Sequence, residues 1–133
     1  MKTPESNPLR VNRYALPDGW EILAGKSDRD NDALSLIGAH PADWWFHVKG
    51  MPGSHVILRH PDHLEPSREL LECAAATAAW HSKARNGGIT AVSCTRAGRV
   101  SKPRGAKAGT VHITKARVLK VRPACPDSRK RHE

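Results

Sequence analysis

No run in this 133-residue chain approaches the roughly eighteen apolar residues that a membrane-spanning helix needs. The opening MKTPESNPLR has no apolar segment of the kind a secretory leader requires, so the expected setting is the cytoplasm, with no membrane partner. Cysteine is scarce: Cys73, Cys94 and Cys125 are an odd number with no CxxC spacing. That excludes a disulfide framework and a cysteine-rich zinc site. Apolar residues make up 38% of the chain, with one tyrosine, one phenylalanine and four tryptophans. A single domain with a thin core is the expectation.

Acidic residues are missing from one part of the chain in particular. Residues 1–94 carry 10 Lys/Arg against 11 Asp/Glu, whereas residues 95–133 carry 12 against 2. The whole excess of +9 therefore lies in the last third. A segregated basic surface is the footprint of a polyanion binder, because cations that neutralise phosphates release bound counterions.

The pattern along the chain reads as α+β. Residues 1–16 form an extended polar arm, and 124–133 a basic disordered tail. PDGWEILAG (17–25) gives a turn and a first strand. Ser27, Asp28, Asp30 or Asn31 can start a short helix over about 30–37 that closes at Gly38. WWFHV (44–48) and SHVILR (54–59) read as a hairpin across a Gly/Pro loop. A long helix is expected over about 67–85, stopped by Asn86-Gly87-Gly88, because Leu70, Leu71, Ala74, Ala75, Ala78 and Ala79 recur at helical spacing. Four short strands follow, at 89–95, 98–102, 109–114 and 117–123. The result is a mostly antiparallel, curved sheet packed by the two helices over a domain at 17–123.

Alternation along a strand puts Trp44 and Phe46 on one face and Trp45, His47 and Lys49 on the other. The first pair suits the core under the long helix. The second set is either an open aromatic and cationic row that stacks on a base, or, for Trp45, more core. VSKPRGAKAGTV (100–111) is the strongest polyanion signal, since glycines let backbone approach a phosphate and Lys102, Arg104 and Lys107 supply charge. With Lys26, Asn31, His55, Arg59 and Arg99 these complete the candidate RNA-binding set. His47, His55, His60 and His63 lie within seventeen residues, and His60-Pro61-Asp62-His63 has a tolerable ligand spacing. No paired cysteine or HExxH helix accompanies them, so neither a metal nor a cofactor is expected. No catalytic residue is assigned, because no nucleophile, carboxylate pair or phosphate-cradling loop stands out.

WEILAGKSDRDND followed by DWWFHVKGMPGSHVILR, AAATAAWHS and VSKPRGAKAGTVHI resembles the NFACT-R domain family. This is the R domain of the ribosome quality-control proteins related to RqcH and NEMF, also found as short stand-alone bacterial proteins. The likeness runs in order from about Trp20 to Arg122. It implies binding to tRNA or ribosomal RNA, with the ribosome as a possible partner. The large members also carry an N-terminal domain and a long coiled coil. Neither is in this sequence, so untemplated tailing by this chain alone is not expected. The reading is a non-catalytic RNA-binding module. Two rivals stand beside it: an RNA- or nucleotide-processing enzyme using His47 and His55 with Asp43 orienting one of them, and a protein-docking adaptor.

Overall fold

The β-rich runs pair into one six-stranded sheet in the order β1-β2-β4-β3-β5-β8, with every pairing antiparallel. The structure is a computed structural model that describes residues 9–126. The strands are β1 (Val11–Ala15), β2 (Glu21–Gly25), β3 (Trp44–Val48), β4 (Val56–Arg59), β5 (Thr90–Arg96) and β8 (Arg117–Val121). A two-stranded ribbon of β6 (Val100–Ser101) and β7 (His112–Ile113) stands apart from it. The class is α+β as expected. Residues 11–15, placed by the sequence in a polar arm, form an edge strand instead. The rest of that arm at 1–8, and the tail beyond residue 126, lie outside the described residues.

Helix α2 (Arg68–Trp80) starts where the sequence indicates: the Ser67 hydroxyl accepts the Leu70 amide at 3.1 Å. It ends at Trp80, one to two turns before the glycine pair expected to stop it. The last amide bonded back into it is that of His81, and turns follow. Its small residues Ala74, Ala75, Ala78 and Ala79 are fully buried, which lets the helix lie close on the sheet. Phe46, Val48, Ile22, Val56, Leu58 and Val92 meet it there. On the basis of area, burying one such large side chain contributes about 1.5–3 kcal/mol.

Helix α1 (Asp28–Ala33) begins on a Ser27 cap and runs on as one wide π turn, Leu34–Gly38. Together these span the short helix expected over 30–37. They cross the sheet's other face, where Leu23, Trp45 and Ile57 pack with Leu34 and Ala97, and Val100 and Ile113 of the ribbon join them with the adjacent Val111. Of the two readings of Trp45, open face or core, the fold takes the core, while Lys49 of the same row stays exposed. Alternation gives the faces correctly, but Trp45 is only 2% exposed because a second layer roofs it. Trp44, on the α2 face, is the half-buried one.

Candidate nucleic-acid interface

The basic segment 102–110 is held to the fold by its own first lysine. Lys102 Nζ bonds Asp32 Oδ2 at 2.9 Å and the carbonyls of Lys107 and Thr110. That uses all three ammonium donors. Asp32 Oδ1 in turn accepts the Gly109 amide at 3.1 Å. Gly105 and Gly109, at φ +77° and +87°, take the left-handed turns that close the loop. Arg104 and Lys107 are left exposed on a pinned loop. Lys102, expected to meet phosphate, is a structural clamp.

A cleft of about 240 Å³ joins this loop to the hairpin, lined by Lys49, Gly50, Gly109 and Thr110 over Trp45, His47 and His55. Its floor is a closed polar network. Ser35, carried on the π turn, accepts the Trp45 indole N–H at 2.9 Å and lies 2.8 Å from His55 Nδ1. Because the indole only donates, the Ser35 hydroxyl proton is free to point at Nδ1. Asn31 Oδ1 accepts the His55 amide at 3.0 Å. Asn31, Ser35 and His55 are all buried.

Burial, and then the neighbouring His47, push the His55 pKa down to about 4, against the opposing influence of the Gly109 backbone, Asp32 and the Asn31 backbone. Burial also lowers that of His47. Both rings are therefore neutral at pH 7 and add no positive charge to the cleft. The Ser35–His55 contact resembles a nucleophile and base, but the two residues are only 4% and 1% exposed. Asp43, considered as an orienting group for one of the catalytic histidines, instead contacts His40 and His63.

The remaining candidates lie elsewhere. Lys26 borders a cleft of about 410 Å³ with Lys83 and Arg85, near the Trp80 ring that Arg85 covers at 4.4 Å. Arg59 is paired to Glu21 at 3.0 Å. Arg99 joins a basic hollow of about 270 Å³ with Arg96, Lys115 and Arg117 around Trp44. There the Arg96 and Arg117 guanidinium groups lie 4.2 and 5.3 Å from the Trp44 ring centroid. Sequence reasoning missed Lys83, Arg85, Arg96, Lys115 and Arg117. Arg96 lies cross-strand from Trp44, and Cys94 from Arg117, so only the strand register reveals this hollow.

An antiparallel sheet covered on both faces, presenting a clamped basic loop and several cationic hollows, has the features of the class of small polyanion-binding modules. Residues 10–115 match the NFACT protein RNA binding domain, and the chain belongs to that family. It is 40% identical over 115 residues to the Rqc2 homolog RqcH of Streptococcus suis, covering 86% of this chain and 20% of that protein. The Rqc2 homolog RqcH of Bacillus subtilis is 36% identical over 122 residues, covering 92% of this chain and 21% of the relative. The chain thus spans about a fifth of the length of these relatives. The solved C-terminal part of the fibronectin/fibrinogen-binding protein from Streptococcus suis superposes with a TM-score of 0.81 at 38% identity. That match covers 89% of this chain and 47% of the other. Among the described residues no helix is long and apolar enough to cross a membrane.

The clamp yields a first expected result. Asp32→Ala leaves the Lys102 ammonium and the Gly109 amide without their carboxylate, which costs about 1–3 kcal/mol. Amide exchange across 102–110 should quicken more than exchange in β3–β5. Equal acceleration throughout the sheet would mean that the loop does not depend on this clamp.

Proposed function

We propose that the chain binds structured RNA, tRNA or ribosomal RNA, in a cytoplasmic role tied to ribosome quality control, and that it does so without catalysis. The observation that supports this reading best is the Asp32–Lys102 clamp, which fixes a glycine-containing loop with Arg104 and Lys107 exposed, while Lys49 lines the cleft bordered by Gly109 and Thr110 of the same loop. A loop ordered in advance loses less conformational entropy when it meets a phosphate backbone. Arg104 gives forked donors to phosphate oxygens, while Lys107 and Lys49 act as point charges. The neutral His47 stands at the rim as a hydrogen-bonding group, with His55, Asn31 and Trp45 beneath it as support. Lys26 and Arg99 offer further cationic contacts in two separate hollows.

The test is binding of fluorescent tRNA as salt is raised. Arg104→Glu with Lys107→Glu should weaken binding at least about tenfold and reduce the log–log salt slope by roughly two. The same assay weighs geometry against bulk charge. Asp32→Ala makes the protein more positive, yet on this reading it binds more weakly because the loop is freed. Parent-like affinity and slope in the Arg104/Lys107 variant would remove the loop from the interface.

A further inference from the structure

Two turns in this chain repeat one pattern. In His40-Pro41-Ala42-Asp43 and in His60-Pro61-Asp62-His63 the fourth amide bonds the first carbonyl, at 2.9 Å in both. In each, the histidine Nδ1 accepts the third amide, at 3.0 Å in both. The two turns meet through their fourth residues, with His63 Nδ1 4.0 Å from Asp43 Oδ1. The His63 ring also lies on that of His40, centroids 4.0 Å apart and planes 22° from parallel. One ligand atom from each of His40, Asp43 and His63 falls within 4.8 Å of the others. His60 is not part of the group. Its Nε2 is bonded to the Asp18 carbonyl at 2.9 Å and its ring is edge-on to Trp20. The His60/His63 spacing visible in the sequence is thus not the pairing the fold makes.

We propose that His40, Asp43 and His63 form a binding site for one divalent late transition metal ion, with Zn²⁺ as its natural probe. Two imidazoles and one carboxylate are the donor set that such borderline cations take. Asp43 is 4% exposed. Its Oδ2 accepts the His40 amide at 2.9 Å, so the carboxylate is fixed from behind while Oδ1 faces His63. A buried carboxylate demands compensation, and a cation beside Oδ1 would supply it. His63 holds φ +54°, a left-handed conformation that side-chain-bearing residues seldom adopt, and this places its ring beside the carboxylate. The trio borders a cleft of about 550 Å³ shared with Trp20, Glu21 and Arg59. Three protein ligands with open space in front leave a coordination position for water or a substrate group.

Donors around tetrahedral zinc stand about 3.4 Å apart when bonds are about 2.0–2.2 Å, so the two exposed rings must close in by an ångström or so. Asp43 stays in place. Ligation through His40 Nε2 puts the ring proton on Nδ1 and breaks the bond to the Ala42 amide, which makes that amide a local reporter. None of these residues lines the cleft between Lys49 and the 102–110 loop. The site therefore stands or falls independently of RNA binding.

The experiment titrates the chelator-stripped full chain with Zn²⁺ alone, by calorimetry and by amide NMR. One equivalent should bind with a dissociation constant on the order of micromolar, with the Ala42 and Asp43 amides shifting most. His40→Ala and His63→Ala, both surface substitutions, should each keep the fold by circular dichroism and weaken binding at least about tenfold. His112→Ala should leave binding unchanged. Zinc binding that survives both His40→Ala and His63→Ala, or shifts centred on other residues, overturns the proposal. So does binding only in the millimolar range.

Discussion

Lowering the pH from about 6.5 to 4 should cost this protein on the order of 3 kcal/mol of stability through His55 alone. His55 is 1% exposed, and its pKa is lowered from 6.5 to about 4 by burial and by the adjacent His47. In the unfolded chain the ring takes a proton near pH 6.5, while in the folded protein it stays neutral until about 4. Between those values the unfolded state binds more protons, so folding stability falls as pH falls. Above 6.5 both states are neutral and the full contribution is present. His47 and His81 are lowered as well, so they act in the same direction. Urea unfolding at several pH values between 7 and 4 measures the slope. His55→Gln should be less stable at pH 7, because the Ser35 contact is disturbed, yet show a visibly flatter slope. A slope identical to the parent's would mean that His55 titrates normally and that the cleft floor is wet.

This result bears on what the residues of the cleft are for. Ser35, Trp45, His55 and Asn31 form an inner scaffold that carries the hairpin and α1 toward the basic loop. The charged groups at the surface are Lys49, Arg104 and Lys107. The Asp32 clamp links the two layers, since it lies one residue beyond Asn31 and holds both Lys102 and Gly109. A polar core of this kind is high in cost if any partner is removed, and it defines one arrangement of the loop.

Strands β3, β4, β5 and β8, the α2 start and the Phe46 face were legible because alternation and helical spacing are local signals, whereas β1 was hidden in a polar stretch and β6 and β7 are shorter than their pattern suggests. Trp45 was ambiguous for a physical reason. Alternation tells which side a residue faces, but not that α1, its π turn and a distant ribbon will cover that side. The role of Lys102 was hidden for the same reason. Its carboxylate partner is seventy positions earlier in the chain, and no spacing rule reaches that far. The charge excess in the last third did point to the basic loop, yet it could not separate the lysine that builds the loop from Arg104 and Lys107, which face solvent. The histidine grouping could not be read from spacing: His60 and His63 are close in sequence, but the fold brings His63 to His40 and Asp43.

The largest single-site effect is expected from one methyl group. Gly25 ends β2 where β4 and α1 converge: its amide bonds the His55 carbonyl at 3.1 Å and its carbonyl accepts the Ser54 hydroxyl at 2.7 Å. A Cβ added there would stand 2.1 Å from Asn31 Oδ1, 3.0 Å from the Asn31 amide nitrogen and 3.1 Å from its Cα. The side chain cannot simply swing aside, because Oδ1 is the acceptor for the His55 amide and Asn31 is buried in the helix. Relief requires moving α1 or giving up that bond, so Gly25→Ala should lose about 3–5 kcal/mol. Gly50→Ala is the control. It has positive φ (+79°) but nothing within 4 Å, so only backbone strain of about 1 kcal/mol applies. A double-mutant cycle locates the cause: with Asn31→Ala the obstructing oxygen is gone, and Gly25→Ala should then cost markedly less than it does in the parent. Additive losses, or a Gly25→Ala variant as stable as Gly50→Ala, would show that β2 and α1 are not locked through Asn31. Strong coupling would make Asn31 the joint that sets where α1, and through Asp32 the basic loop, sits on the sheet.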